Sequence, residues 1–174
     1  MGANNGSDAL RGGEGDDKIF GRGGDDILRG GSGDDELYGG EGSDIFLWNK
    51  ADIGQNQDNS INYDNIITDT VWDLSSEDTL DLSDLLVGIS PDNLGTVLDI
   101  FVDDQNSDVT LKLNLDNDSD IEQSIVLKGA MTDSGIEINT LLDGNEVKLA
   151  VSSDGSTSIK QDGQNDILLE IHQD

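Results

Sequence analysis

An all-β fold is the prediction of this sequence: a right-handed parallel β-roll first, then a small β-rich module with short helices. Three observations carry it. One nine-residue phrase repeats five times from Ala3. Glycine is concentrated there, with 14 of the 22 glycines inside residues 1–47. Beyond that stretch, short apolar runs recur with turn residues between them, the pattern of short strands.

The five blocks are ANNGSDALR, GGEGDDKIF, GRGGDDILR, GGSGDDELY and GGEGSDIFL, or Gly-Gly-x-Gly-x-Asp-x-apolar-x. Position six is always aspartate: Asp8, Asp17, Asp26, Asp35 and Asp44. Position eight is always apolar: Leu10, Ile19, Leu28, Leu37 and Phe46. The first six residues of each block read as a turn, because glycine bends the chain without a Cβ clash. The last three read as a short strand whose middle side chain points inward. A turn after every strand reverses the chain, so two repeats complete one coil. Asp8, Asp26 and Asp44 then stack along one edge, with Asp17 and Asp35 along the other.

Neighbouring carboxylates on an edge lie about 4.8 Å apart, one strand spacing, and repel when bare. A hard cation between turns removes the repulsion and takes carboxylate and carbonyl oxygens. Calcium, with its flexible shell of six to eight oxygens, suits such a site better than magnesium. The phrase also resembles, along its whole length, the calcium-binding nonapeptide repeat of RTX proteins. About three Ca²⁺ sites are expected, between turns one and three, two and four, and three and five. Their ligands are expected to be the position-six aspartates plus carbonyls from Gly6, Gly12, Gly13, Gly15, Gly21, Gly23, Gly24, Gly30, Gly31, Gly33, Gly39, Gly40 and Gly42. The position-five aspartates Asp16, Asp25 and Asp34 are expected to face water.

Net charge is −29, from 38 acidic and 9 basic residues, and such a surface repels nucleic acid and anionic membranes. There is no cysteine, so metal rather than disulfides would stabilise a secreted form. No stretch approaches the roughly 20 apolar residues of a membrane-spanning helix. No N-terminal signal peptide is evident. Residues 1–2 read as an added start, 3–47 as the repeat array and 48–174 as a C-terminal module. The chain reads as the C-terminal fragment of a longer protein and is expected to be monomeric.

Residues 49–65 are polar and asparagine-rich, the composition of a loop or insertion. Strands are expected at Ile66–Thr68, Thr79–Leu82, Val97–Val102, Val109–Leu115, Ile121–Leu127, Val147–Val151 and Ile167–Ile171. Val97–Val102 and Val109–Leu115 should form a hairpin. Helical turns are expected at Ser83–Val87, after Pro91 and at Ile136–Leu142, with Ser83 and Ser90 as N-caps.

The repeats followed by DIFLW (44–48), NIITD (65–69) and DTLDLSDLL (78–86), with the later IVLKG (125–129), resemble the C-terminal end of large RTX adhesins. That resemblance implies a C-terminal type I secretion signal, an extracellular or cell-surface location in bacteria, and three partners. They are an inner-membrane ABC transporter, a periplasmic adaptor and an outer-membrane channel. It also implies that Asp69 caps the last calcium, with Asp64 as a substitute for the family aspartate that Asn65 replaces here. The implied role is calcium-dependent folding outside the cell and export in an extended state.

Asp116, Asp118 and Asp120, followed by Glu122, open like an EF-hand loop, but Ile121 and Leu127 stand where Gly and Glu are needed. Asp162 and Asp166 form a weaker acidic pair. Trp48 and Trp72 read as roll caps or core residues more than sugar platforms. His172 is the single histidine, so no nucleophile–base pair and no zinc site is expected, and no catalysis within this chain. The tail of a secreted enzyme and a carbohydrate- or ice-binding module are the alternatives.

Overall fold

The computed structural model describes residues 5–53, 66–103, 105–115, 121–142, 145–152, 156–160, 167–169 and 171–173, the last two as backbone. Each repeat yields one strand: β1 Ala9–Glu14, β2 Lys18–Gly23, β3 Ile27–Ser32, β4 Glu36–Glu41 and β5 Ile45–Leu47. The first four run from position seven through position three of the next block. The turn is therefore only positions four to six, shorter than the six-residue turn expected. The reason is that main-chain pairing continues through the glycines, as at Gly13↔Gly31 and Arg22↔Gly40.

Strands two apart pair in parallel, with Leu10↔Leu28, Ile19↔Leu37 and Leu28↔Phe46 in register. Odd strands build one sheet and even strands the other. Position eight faces the space between them: Ile19, Leu28, Leu37 and Phe46 are fully buried. Outside, the position-nine rings of Phe20 and Tyr38 stack with centroids 4.7 Å apart, and Tyr38 stacks on Trp72 at 5.8 Å.

The coil continues beyond residue 47, where the glycine phrase stops. Strand β6 (Ile67–Val71) pairs in parallel with β4, Leu37↔Val71. Strand β7 (Thr79–Asp81) pairs in parallel with β5, Phe46↔Leu80. Val71 and Leu80 are fully buried and take the position-eight role. The signal is faint in the sequence, because Asp69-Thr70-Val71 and Asp78-Thr79-Leu80 keep the Asp-x-apolar triplet without glycines.

Downstream strands extend both sheets. They are β8 Leu98–Asp103, β9 Asp108–Leu113, β10 Gln123–Leu127, β11 Ile136–Leu142, β12 Asn145–Val151, β13 Thr157–Lys160, β14 Ile167–Leu169 and β15 Ile171–Gln173. The β8–β9 hairpin forms with Leu98↔Leu113 and Asp103↔Asp108. Strand β10 adds in parallel to β6, and β11 adds in parallel to β7. The sheet orders are β1-β3-β5-β7-β11-β12-β13-β14 and β15-β8-β9-β10-β6-β4-β2. One apolar core runs from Ile19 through Leu80, Leu111 and Ile125 to Ile159.

Ile136–Leu142, expected to be helical, is strand β11, paired antiparallel with β12 in the register Leu142↔Asn145. Ile138, Thr140 and Leu142 are buried alternately, a period of two. The expected Ile167–Ile171 strand is divided between the two sheets as β14 and β15. Strand β13 lies outside the sequence expectation. Pro91–Thr96 is a 3₁₀ turn with Ser90 at its N-cap but no side-chain capping bond. Near Ser83 the chain makes a turn in which the Leu86 N–H donates to the Leu82 carbonyl. There the Ser83 N–H donates to Asp81 Oδ1.

Position two of the repeat sits at positive φ: Gly13 at 123°, Gly31 at 122°, Gly40 at 103°, and Arg22 at 86°. A side chain there costs about 1–2 kcal/mol, which only glycine avoids. The Arg22→Gly variant is expected to stabilise the calcium-loaded protein by about 1 kcal/mol, since glycine's looser unfolded chain offsets part of the relief. The midpoint of urea unfolding in excess calcium reads it, and an unchanged or lower midpoint contradicts it.

Candidate metal centre

The position-six aspartates form two ladders, one on each edge of the roll. Each main-chain N–H donates to Oδ1 of the aspartate one coil on: Asp8 to Asp26 (2.7 Å), Asp17 to Asp35 (2.7 Å) and Asp26 to Asp44 (2.8 Å). The ladders continue past the repeats, from Asp35 to Asp69 (2.9 Å) and from Asp44 to Asp78 (2.9 Å). The geometry follows from register. Parallel strands offset by one coil place every turn over its equivalent, so identical side chains meet identical main-chain groups.

The second carboxylate oxygens separate the rungs into two kinds. Oδ2 of Asp26, Asp35 and Asp44 is buried and has no hydrogen-bond partner. These three residues are each 1 % exposed. An unsatisfied buried polar atom costs about 1–3 kcal/mol, and a charged one more. The space beside each Oδ2 exists because position one is glycine. A Cβ on Gly12 would lie 2.5 Å from Asp17 Oδ2 and 2.6 Å from the Gly30 carbonyl oxygen. A Cβ on Gly21 would lie 2.5 Å from Asp26 Oδ2, with the Gly39 carbonyl against it as well. Gly30 and Gly39 stand closer still to Asp35 Oδ2 and Asp44 Oδ2.

Carboxylate and carbonyl oxygens thus converge at the Gly12 and Gly21 cradles, the donor set of a hard divalent cation. Among the described residues no three carboxylate, imidazole or thiol side chains gather around one point, so main-chain carbonyls must complete any shell. The carboxylates of Asp26, Asp35 and Asp44, with the Gly39 carbonyl beside Asp26, fit calcium. When bound, calcium would supply the positive charge that the buried oxygens lack.

Burial pushes Asp35 and Asp44 up to about 6, partly offset by the main-chain donors and reinforced by neighbouring carboxylates. Burial pushes Asp69 up to about 7. Asp73 is also raised, by burial first.

The sequence-expected residues fall into groups. Asp8 and Asp17 donate the first main-chain bonds of the two ladders. The position-four glycines Gly6, Gly15, Gly24, Gly33 and Gly42 lie at the turns. A Cβ on Gly24 would meet Gly6, one on Gly33 would meet Gly15, and one on Gly42 would meet Gly24. Along position two Gly31 stacks over Gly13 and Gly40 over Arg22, and no rung carboxylate is among the atoms nearest Gly31 or Gly40. Gly23 faces Glu41 and Asn5 rather than any rung. The position-five aspartates are exposed, and each also holds a main-chain donor. The Asp34 N–H donates to Asp16 Oδ1 (3.0 Å), the Ser43 N–H to Asp25 Oδ1 (3.0 Å) and the Thr68 N–H to Asp34 Oδ1 (2.8 Å). Asp64, Asp116, Asp118, Asp120, Asp162 and Asp166 lie outside the described residues. Asp73 and Asp78 join the edges without having been expected there. Asp73 accepts from the N–H groups of Gly39 (2.9 Å) and Gly40 (3.1 Å). The signal for Asp78 is its nine-residue distance from Asp69.

Stacked turns closed by aspartate rungs with glycine cradles define a metal-ligating parallel β-roll. The family model for the RTX calcium-binding nonapeptide repeat (4 copies) matches residues 2–37 and 21–47. These residues are RTX repeats, and RTX nonapeptide repeats bind calcium. No curated protein sequence matches the chain. Among solved structures, the chain is similar to the AlgE6R2 subunit of the Azotobacter vinelandii mannuronan C5-epimerase, at 27 % identity and TM-score 0.47 over 74 % of this chain and 83 % of that one. It is also similar to the AlgE6R3 subunit of that enzyme, at 25 % identity and TM-score 0.44 over 73 % of each chain. No helix among the described residues is long and apolar enough to cross a membrane.

Two outcomes follow from this geometry. A Gly30→Ala substitution is expected to lower the calcium-to-protein ratio at saturation, because its Cβ collides with Asp35 Oδ2. Equilibrium dialysis reads this, and an unchanged ratio argues against the cradle. In chelator, the folded roll holds protons on Asp35, Asp44 and Asp69 at pH values where an unfolded aspartate, near 3.9, has lost them. This contribution to stability is complete below about pH 4 and is lost as pH rises through 6 to 7. The metal-free chain is therefore expected to show more β-structure at pH 5 than at pH 7.5 by circular dichroism, and the reverse order contradicts it.

Proposed function

We propose that this chain is a calcium-gated folding and export module, the C-terminal end of an RTX adhesin secreted by a type I system. The observation that carries it is the set of three buried, unpartnered Oδ2 atoms on Asp26, Asp35 and Asp44. These charges disfavour the coil without metal and favour it with metal. Extracellular calcium modules bind at about 10⁻⁴–10⁻³ M, far above cytosolic free calcium. Inside the cell the array stays extended, because its few core side chains do not offset chain entropy of about 1–2 kcal/mol per residue. Outside, millimolar calcium closes the coils, and folding at the exit opposes back-sliding.

The partners in this reading are the ABC transporter, the periplasmic adaptor and the outer-membrane channel. The downstream module carries the export address, and the chain performs no catalysis. RTX repeats are typical of secreted proteins, which supports an extracellular destination. The net charge of −29 supports a surface that avoids nucleic acid.

Calcium titration of the fragment at pH 7.5 is expected to produce β-structure cooperatively. Equal β-content in calcium and in chelator would sink the gating. Deleting residues 125–174 from the full-length protein is expected to stop its export, and continued export would remove the signal assignment.

A further inference from the structure

We infer that the carboxylate ladder on one edge ends on a rung the chain closes itself, with Trp48 and Gln123 standing where the cation stands on earlier rungs. This rests on the calcium reading of Asp26, Asp35 and Asp44 and concerns where that chemistry stops.

Asp69 repeats the rung geometry in one respect: its Oδ1 accepts the Asp35 N–H at 2.9 Å. Its other oxygen differs. Asp69 Oδ2 accepts the Trp48 indole N–H at 2.6 Å and a Gln123 side-chain N–H at 3.1 Å. Asp69, Trp48 and Gln123 are all buried, at 1 %, 3 % and 2 % exposure. Three donors occupy most of the roughly four lone-pair sites of a carboxylate, so this rung has little left to offer a metal. The replacement is positional. Trp48 follows the last block at position one, where Gly12 and Gly30 sit on the same edge. On those rungs the glycine leaves a cradle beside Oδ2. Here an indole fills that place and supplies a donor. Gln123 comes from β10, so the closed rung ties the roll to the downstream sheet through a strand already paired with β6.

The other edge ends in a similar way with main-chain donors. Asp78 Oδ1 accepts the Asp44 N–H, and its Oδ2 accepts the Ser75 N–H at 2.7 Å. Neither Asp69 nor Asp78 carries the orphaned oxygen of the three calcium rungs. Asp69 is thus a metal-free terminus of the ladder, in contrast to the calcium-capping role that the resemblance implies. The downstream end of the roll forms without metal and offers a template for the calcium-dependent coils.

Calcium uptake and tryptophan emission test this on the full chain. In Trp72→Phe, Trp48 is the single tryptophan. Its emission in chelator is expected to stay blue-shifted near that of the calcium-loaded protein, and emission matching the urea-unfolded chain overturns the proposal. By equilibrium dialysis, Asp35→Asn is expected to bind less calcium at saturation, while Asp69→Asn keeps the wild-type ratio. An Asp69→Asn protein that retains native circular dichroism but binds one calcium fewer also overturns it. A wild-type chain that takes up no calcium removes the calcium reading instead, and the Trp48 emission in chelator still decides whether the rung forms unaided.

Discussion

A buried carboxylate with one oxygen satisfied and one not is the constraint on which this molecule depends. Asp26, Asp35 and Asp44 each hold the turn one coil back through Oδ1 and leave Oδ2 buried without a donor. The first half of that arrangement sets the register of every parallel strand pair in the array. The second half makes the register unstable unless positive charge arrives. Main-chain pairing, the glycine cradles and the stacked core are all compatible with the coil, yet none of them neutralises the edges. A metal-ligating roll is therefore conditional in a way that an ordinary β-sandwich is not, because its spacing and its repulsion have the same origin.

The downstream segment meets this conditional structure without a break. Strands β10 and β11 each join a sheet of the roll by parallel pairing, and the apolar core passes from Leu37 and Phe46 to Val71 and Leu80 and on to Leu127 and Ile138. Among the described residues, the downstream ion pairs are Lys128–Asp108, whose carboxylate is largely buried, and the exposed pairs Lys148–Glu137 and Lys160–Glu137. Lysine compensates both of these carboxylates, whereas Asp26, Asp35 and Asp44 each keep a buried oxygen without a donor. A packed, alternating β-module thus abuts an array whose edges demand charge compensation. The ladders give up orphaned oxygens where the two meet, at Asp69 and Asp78.

Legibility in the sequence follows the strength of repetition. Five copies of one phrase make Asp17 to Asp44 and Ile19 to Phe46 readable, because each copy confirms the phase of the others. Two further turns carry the same triplet, but Asp69-Thr70-Val71 and Asp78-Thr79-Leu80 lack glycines and follow an intervening segment, so the phase is lost. Strand β11 departs from its helical expectation because Ile136-Glu137-Ile138-Asn139-Thr140-Leu141-Leu142 admits both periods, and only pairing with β7 and β12 selects two. Ser90 stands at the start of a turn as expected, yet its side chain makes no capping bond.

A nine-residue period, two repeats per coil, aspartate at the edge and an apolar residue in the core are all readable from the repeated phrase. Those are local properties of the repeating unit, and a repeating unit meets itself at every level. Tertiary contacts alone settle which aspartates keep a buried oxygen without a donor. That depends on donors remote in sequence. Trp48 and Gln123 reach Asp69 from 21 and 54 residues away, and no periodicity announces them. Asp35 and Asp69 are one residue type at equivalent points of the coil, and they differ in chemistry because a glycine faces the first and an indole faces the second.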